Sequence, residues 1–366
     1  MTMEACVKAG TLRGAGVAGA ATAITAAEAA AVSPPARLAP ALPPRPAPPR
    51  PARAAGLDPA ARRDPTMFKQ LTAYRLDPGA VPDADAFDAA LDRARFAPCA
   101  PTQPLAVGWV APRGEAHAPL AERIAGMWVA ALGFEQRLLP PSVVREQVQA
   151  RAARIEQETG MRPGKRALRE LRDELTLELL PRAFTRRATV QVWIDPAQGW
   201  LWLDAGGAAR LDATLSAVVQ ALPVLAPRAL STAGSPAAVM REWLARGEPP
   251  AGFGVDQDCT LQAADGRRAA VRYARHALDP QDLQRHLDAG LMPTRLALTW
   301  RSRVSFELTD SLQLRKLALL DVVLDGGGEG ADAGFDADVA LRAGELRALL
   351  PELLDALGGE LEAGAP

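Results

Sequence analysis

Thr189-Val190-Gln191-Val192-Trp193-Ile194-Asp195 and Trp200-Leu201-Trp202-Leu203-Asp204 flank Pro196-Ala197-Gln198-Gly199. Two runs of β-branched and aromatic residues around a short Pro/Gly turn are the signature of a β-hairpin. Trp193, Trp200 and Trp202 read first as core or half-buried sheet residues, and second as a stacking platform. Immediately upstream, Leu179-Leu180-Pro181-Arg182-Ala183-Phe184-Thr185-Arg186-Arg187 sets one Phe among three arginines. Guanidinium forks pair with phosphate oxygens, and a neighbouring Phe can wedge or stack against a partner. The competing reading makes Phe184 a core plug.

Two helices precede this stretch. Ser142–Glu158 places Val144, Val148, Ala152 and Ile155 on one face, and Lys165–Leu180 repeats Leu168, Leu171, Leu175 and Leu179 at three and four residues. Gly160, Pro163 and Gly164 form the turn, so residues 141–187 are expected to be a projecting helical hairpin. Further strands are expected at Phe68–Leu76, Val107–Val110, Met127–Leu138, Arg268–Tyr273, Arg295–Trp300, Arg303–Leu308 and Leu314–Leu319. Helices are expected near Asp85–Arg95, Arg210–Ala221, Pro236–Arg246 and Ala343–Leu357. Helices and strands interleave without regular βαβ repeats, which gives an α+β fold with mainly antiparallel sheet.

Residues 1–66 differ in composition from the rest of the chain. An Ala/Gly-rich stretch leads into Pro43-Pro44-Arg45-Pro46-Ala47-Pro48-Pro49-Arg50-Pro51, where repeated proline blocks helix and removes backbone donors. We expect this leader to be disordered and not native, with the true start at Met67; a targeting peptide is the rival, although Glu28 and the Ala/Gly content make a poor apolar core for one. Gly14-Ala15-Gly16-Val17-Ala18-Gly19 matches a dinucleotide-binding fingerprint, but nothing strand-like precedes it to build the site. Gly326-Gly327-Gly328-Glu329-Gly330 lacks the Lys-Ser or Lys-Thr of a phosphate loop and reads as a surface loop.

The three cysteines, Cys6, Cys99 and Cys259, contain no C-x-x-C pair, and His276 and His286 are not at helical metal-ligand spacing. No disulfide framework, metal site or cofactor is implied. G-x-S-x-G and H-E-x-x-H are absent, which lowers the expectation of an enzyme. No run reaches the ~20 apolar residues of a membrane span.

From residue 67 on, the chain holds 34 basic and 39 acidic side chains, against which two segments run the other way. Arg145–Arg187 has 11 basic and 7 acidic residues; Arg267–Arg303 has 8 and 3. A charge pattern of this kind suits a protein with one positive surface. In the first island Arg154–Glu158, Arg166–Glu170 and Arg169–Asp173 are possible i,i+4 pairs of an ordinary solvated face. In the second, Arg267, Arg268, Arg272, Arg275 and His276 are followed by no acid until Asp279.

From Met67 to about Glu360 the chain resembles the bacterial recombination-associated protein RdgC family. The resemblance rests on Met67–Leu76, Phe96-Ala97-Pro98-Cys99, Gly108-Trp109-Val110, Leu138-Leu139-Pro140-Pro141-Ser142-Val143-Val144, Leu180-Pro181-Arg182-Ala183-Phe184, Leu296-Ala297-Leu298-Thr299-Trp300 and Phe335-Asp336-Ala337-Asp338, ending in Gly344-Glu345-Leu346. It implies a ring-shaped homodimer that binds double-stranded DNA without sequence preference through a positively lined hole. It also implies a nucleoid-associated protein that limits RecA-driven strand exchange; the cysteine usage adds the expectation of a cytoplasmic protein, and the absent motifs that of a non-enzyme. The helical hairpin then resembles the family's projecting tip, where Phe184 becomes a dimer-closing contact, and Arg182, Arg186, Arg187, Arg272, Arg275 and His276 fall near the DNA path or ring surface, with Arg267 and Arg268 in the same island. Two departures stand out: the hairpin turn Glu158–Lys165 is less basic than in familiar members, and Asp325–Gly334 is acidic and Gly-rich. The rival from another class is a protein-interaction module acting on the recombinase itself, with no DNA path of its own.

Overall fold

The computed structural model describes residues 68–77, 84–115, 117–263, 269–275, 278–324 and 331–361, all within one compact unit, Asp58–Pro366. In chain order they form β1 (Gln70–Arg75), α1 (Ala84–Asp92), β2 (Leu105–Val110), β3 (Ala121–Ile124), β4 (Met127–Leu138), α2 (Pro141–Thr159) and α3 (Lys165–Leu179). Next come β5 (Phe184–Asp195), β6 (Trp200–Leu203), α4 (Ala208–Ala221), β7 (Arg228–Ala229), α5 (Pro236–Arg246), β8 (Phe253–Ala263) and β9 (Ala270–Tyr273). The chain closes with α6 (Pro280–Asp288), β10 (Leu291–Trp300), β11 (Val304–Thr309), β12 (Leu314–Leu319), α7 (Asp321–Leu324) and α8 (Ala331–Ala356).

All the strand pairs are antiparallel, in the order β2-β4-β5-β6-β1-β12-β11-β10-β8-β9, with β3 on β4 and β7 on β1. The α+β reading therefore holds. β1 is the seam. Its first residues, Gln70 and Leu71, pair with Arg315 and Leu314 of β12, and from Thr72 on it pairs with β6.

The two halves are buried differently. β4 is buried continuously from Met127 to Glu135, because alternate residues enter different cores. Met127 and Val129 join Trp193, Trp200 and Trp202 against α5 and α8. Trp128, Ala130, Leu132 and Phe134 join Val192, Ile194, Leu201 and Leu203 against α1 and α4. Strands covered on both faces lose polar alternation for this reason. In the other half Leu296, Leu298 and Trp300 of β10 point into the first core, while Arg295, Ala297 and Thr299 alternate onto a polar face.

α2 and α3 connect β4 to β5. Proline at the first helical position starts α2, and Gly160 ends it in the left-handed region at φ 70°, its N–H bonding Glu156 O. Val144 and Val148 of α2 meet Leu171 and Leu175 of α3 in a small separate cluster.

The structure departs from the sequence pattern at several elements. β5 begins at Phe184, so the Phe/Arg stretch is strand as well as helix end. α8 starts at Ala331, twelve residues before the expected helix. β3, β7, β8, α6 and α7 form where the sequence pattern predicts no element.

Candidate nucleic-acid interface

The far end of the β4–β5 ribbon carries the first basic group. Register places Phe184 opposite Leu138, Arg186 opposite Gln136 and Arg187 opposite Glu135. Phe184 is 85% exposed, which overturns the core-plug reading: the ribbon has outrun the core by this point, and none of the described residues covers the ring. Arg182 ends a short 3-10 turn, Leu180–Arg182. Arg182 and Arg186 are exposed, and neither forms an ion pair among the described residues.

Arg187 has a different role. Its Nε donates to Glu135 Oε1 at 2.9 Å, and the Glu135 side chain is only 5% exposed. The Cys99 backbone N–H donates to the other carboxylate oxygen at 2.6 Å. That bond, followed by the one from Arg187, holds the Glu135 carboxyl below the usual range. Arg187 thus serves to neutralise a buried acid, and its charge is only partly available to a ligand. Arg137, which the sequence reading passed over inside a buried strand, donates to the carbonyls of Cys99, Ala100, Leu180 and Pro181 at 3.2–3.3 Å. It locks the start of β5 and, among the described residues, forms no ion pair, although its charge helps hold the Glu135 carboxyl low.

On the helix pair, only one of the three i,i+4 ion pairs forms, Arg166–Glu170 at 3.0 Å. Arg154 and Arg169 are exposed and unpaired among the described residues. Arg145 and Arg172 join Arg137 around a groove of about 410 Å³ whose apolar lining includes Leu139, Pro141, Val144 and Leu180. The less basic turn therefore leaves a helix pair that still presents uncompensated guanidinium groups.

In the second island Arg267, Arg268 and His276 lie outside the described residues. Arg272 stands on β9 opposite Thr260 of β8, and Arg295 of β10 stands opposite the same Thr260. Arg275 adopts a left-handed backbone, φ 51°, and donates its N–H to Asp258 Oδ1 at 2.8 Å. Asp258, fourteen residues before Arg272, is an acidic neighbour that the linear reading of this stretch did not contain. Arg285, Arg301 and Arg303 are consumed in ion pairs with Asp282, Glu352 and Glu345. Arg272, Arg275 and Arg295 remain, with Lys316 beside them on β12.

Among the described residues no group of three or more His, Cys, Asp or Glu side chains could hold a metal. No helix among them is long and apolar enough to cross a membrane.

Comparison with known proteins matches residues 66–360 to the family model described as "Putative exonuclease, RdgC". The chain is 45% identical over 300 residues to the recombination-associated protein RdgC of Dechloromonas aromatica, covering 80% of this chain and 98% of that one. Proteins of the same name from Cupriavidus pinatubonensis and Bordetella pertussis are 42% and 39% identical over 299 and 296 residues. The coverage is 81% of this chain and 99% of the relative in the first case, and 80% and 98% in the second.

Proposed function

Because the chain belongs to the RdgC family of recombination-associated proteins, we propose that it binds double-stranded DNA without sequence preference, as a homodimeric ring around the duplex. On this reading it is nucleoid-associated and limits RecA-dependent recombination by occupying the duplex that strand exchange needs. The observation that carries the proposal is the end of the β4–β5 ribbon: Arg182 and Arg186, without carboxylate partners among the described residues, flank a Phe that is 85% exposed.

Each part has a physical role. Guanidinium groups read phosphate in a planar, bidentate way and do not distinguish bases, so such contacts position without specifying sequence. Phe184 and its cross-strand neighbour Leu138, itself 45% exposed, form an apolar tip that water disfavours. A two-fold axis pairs such a patch with its own copy. The groove beside Leu139, at the base of the same tip, offers a seat for the ring of the partner subunit. Closing the tips around DNA slows escape without adding contacts, since release then needs an interface to open or a DNA end to arrive.

The test is fluorescence anisotropy of a random-sequence duplex with the wild-type protein and with two double variants, Arg182→Glu/Arg186→Glu at the ribbon end and Arg272→Glu/Arg275→Glu on the β8–β9 face, each read in the same way. Wild type is expected to bind with a steep negative salt dependence, and each variant to lose roughly two from the log–log slope at about 0.9 per contact. Unchanged binding by either variant removes its face from the DNA path. Incubation with Mg²⁺ or Mn²⁺ accompanies it: intact DNA is expected, and shortening from the ends would favour the exonuclease named in the family description.

A further inference from the structure

Two residues with a Cβ, Arg275 and Lys316, hold left-handed backbones at φ 51° and 50°, a conformation that steric contact disfavours outside glycine. Both are bound to one carboxylate. Asp258 Oδ1 accepts the Arg275 N–H at 2.8 Å, and Asp258 Oδ2 lies 3.4 Å from Lys316 Nζ. Lys316 also forms an ion pair with Glu307, a residue only 8% exposed.

The unusual backbone at Lys316 has a visible cause. Ser305 pairs with Ala318 and Glu307 with Arg315, so β12 uses three steps where β11 uses two. The extra residue falls in the stretch that contains Lys316. Such bulges re-aim a side chain, and this one delivers Lys316 to the face shared by Arg272, Arg295, Thr260 and Asp258, all of which line one small cleft. Across β9, β8 and β10 the row reads Arg272, Thr260, Arg295, which sets the two arginine Cα atoms about 10 Å apart at the usual strand spacing.

We propose that Asp258 is a positioning residue for the second basic surface, holding Arg275 and Lys316 beside Arg272 and Arg295, and that Lys316 and Arg295 contact DNA phosphate. This rests on the duplex-DNA reading above and adds to it contacts outside the two basic segments' leading arginines. A carboxylate on a DNA-facing surface ordinarily repels the ligand. Here each Asp258 oxygen is committed, one to a backbone N–H and the other to an ammonium, and these bonds keep its carboxyl below the usual range. The cluster of four cations and two carboxylates keeps a net positive charge; Lys316 pairs with both acids, so like Arg187 it is only partly available, and its phosphate contact uses the third N–H of its ammonium.

The experiment compares duplex binding and its salt slope for wild type, Lys316→Gln, Lys316→Arg, Arg295→Gln, Asp258→Asn and Asp258→Ala, with urea unfolding of each. Losing one phosphate contact weakens binding about eight-fold at 0.1 M salt and lowers the slope by roughly 0.9. That is expected for Lys316→Gln and Arg295→Gln, with recovery in Lys316→Arg. Asp258→Asn keeps an acceptor for the Arg275 N–H and is expected to bind as well as wild type or better. Asp258→Ala removes both anchors and is expected to bind several-fold more weakly, although it also removes a negative charge. If Asn and Ala both tighten binding, Asp258 is only a counter-charge and its positioning role is overturned. If Lys316→Gln lowers stability but leaves the salt slope of a binding-competent protein unchanged, the new contact fails while the DNA reading stands. If wild type itself does not bind duplex, both fall together.

Discussion

Asp204 makes the sharpest test of the fold's energetics. It lies just after β6 and its Oδ1 accepts the Gln70 N–H at 3.0 Å, at the seam where β1 changes from β12 to β6. Burial pushes its carboxyl up to about 6; the N–H groups of Gln70 and Lys69 and the charges of Lys69 and Arg342 pull the other way and lose. The unfolded chain titrates near 3.9, so between about pH 4 and 6 the folded state binds more protons than the unfolded state. Stability attributable to this group is therefore full below about pH 4, falls as pH rises through about 6, and stays low above it. A rise of about two pH units corresponds to roughly 3 kcal/mol at 1.36 kcal/mol per unit. Asp204→Asn keeps an acceptor oxygen for Gln70 and cannot ionise. It is expected to raise stability at pH 7.5 by up to about 3 kcal/mol, or roughly 5 °C in Tm for a body of this size, with no gain at pH 3.5. Urea unfolding of both proteins across that pH range measures the difference directly. Glu135 and Asp258, whose carboxyls are held low, lose their contributions as pH falls, equally in both proteins, and cancel. A variant that tracks wild type at every pH, or is less stable at pH 7.5, refutes the reasoning.

The other expectations concern packing and association. Asp195 is fully buried, binds Arg347 Nε at 2.6 Å and accepts the N–H groups of Ala197 and Gln198; Asp195→Ala is expected to cost about 3–5 kcal/mol in urea unfolding by stranding Arg347. At Gly108 a Cβ would lie 2.5 Å from Phe96 Cα and 2.7 Å from Phe96 N, so Gly108→Ala is expected to lose about 1–3 kcal/mol and to increase hydrogen exchange at the Phe96 N–H, which bonds Trp109 O. Phe184→Ser exchanges a ring worth about 1.5–3 kcal/mol on burial, and a two-fold interface loses it twice. Sedimentation is expected to show at least roughly 100-fold weaker self-association with unchanged unfolding, and an unchanged dissociation constant removes Phe184 from the interface.

Local patterns made much of the fold legible. The Trp193/Trp200/Trp202 hairpin was readable because a period of two and a Pro/Gly turn coincide, and all three rings are buried. The helix pair was readable because Val144, Val148, Leu171 and Leu175 repeat at helical spacing and glycines bound the turn. β8 was missed because Asp256, Gln257 and Asp258 interrupt its apolar residues, and register shifts against β10 break the alternation. α6 buries only Leu283 and Leu287, too few for a periodic signal, although Asp279 before Pro280 is a capping cue that could have found it. The early start of α8 was hidden in small and acidic residues. At the site, counting charge along the chain identified both basic islands but could not see across strands. Glu135 reaches Arg187 over 52 residues and Asp258 reaches Arg275 over 17, so which arginines stay free is decided by register.

Encirclement of duplex DNA is the part of the proposed function that dissociation kinetics read out. Its most direct test is the lifetime of the complex on a relaxed circle and on the same DNA linearised, after a jump to high salt. A ring is expected to leave the linear molecule by its ends and to persist on the circle, with the difference lost in Phe184→Ser. Equal lifetimes on the two DNAs would contradict encirclement and reduce the protein to an open, surface-bound one.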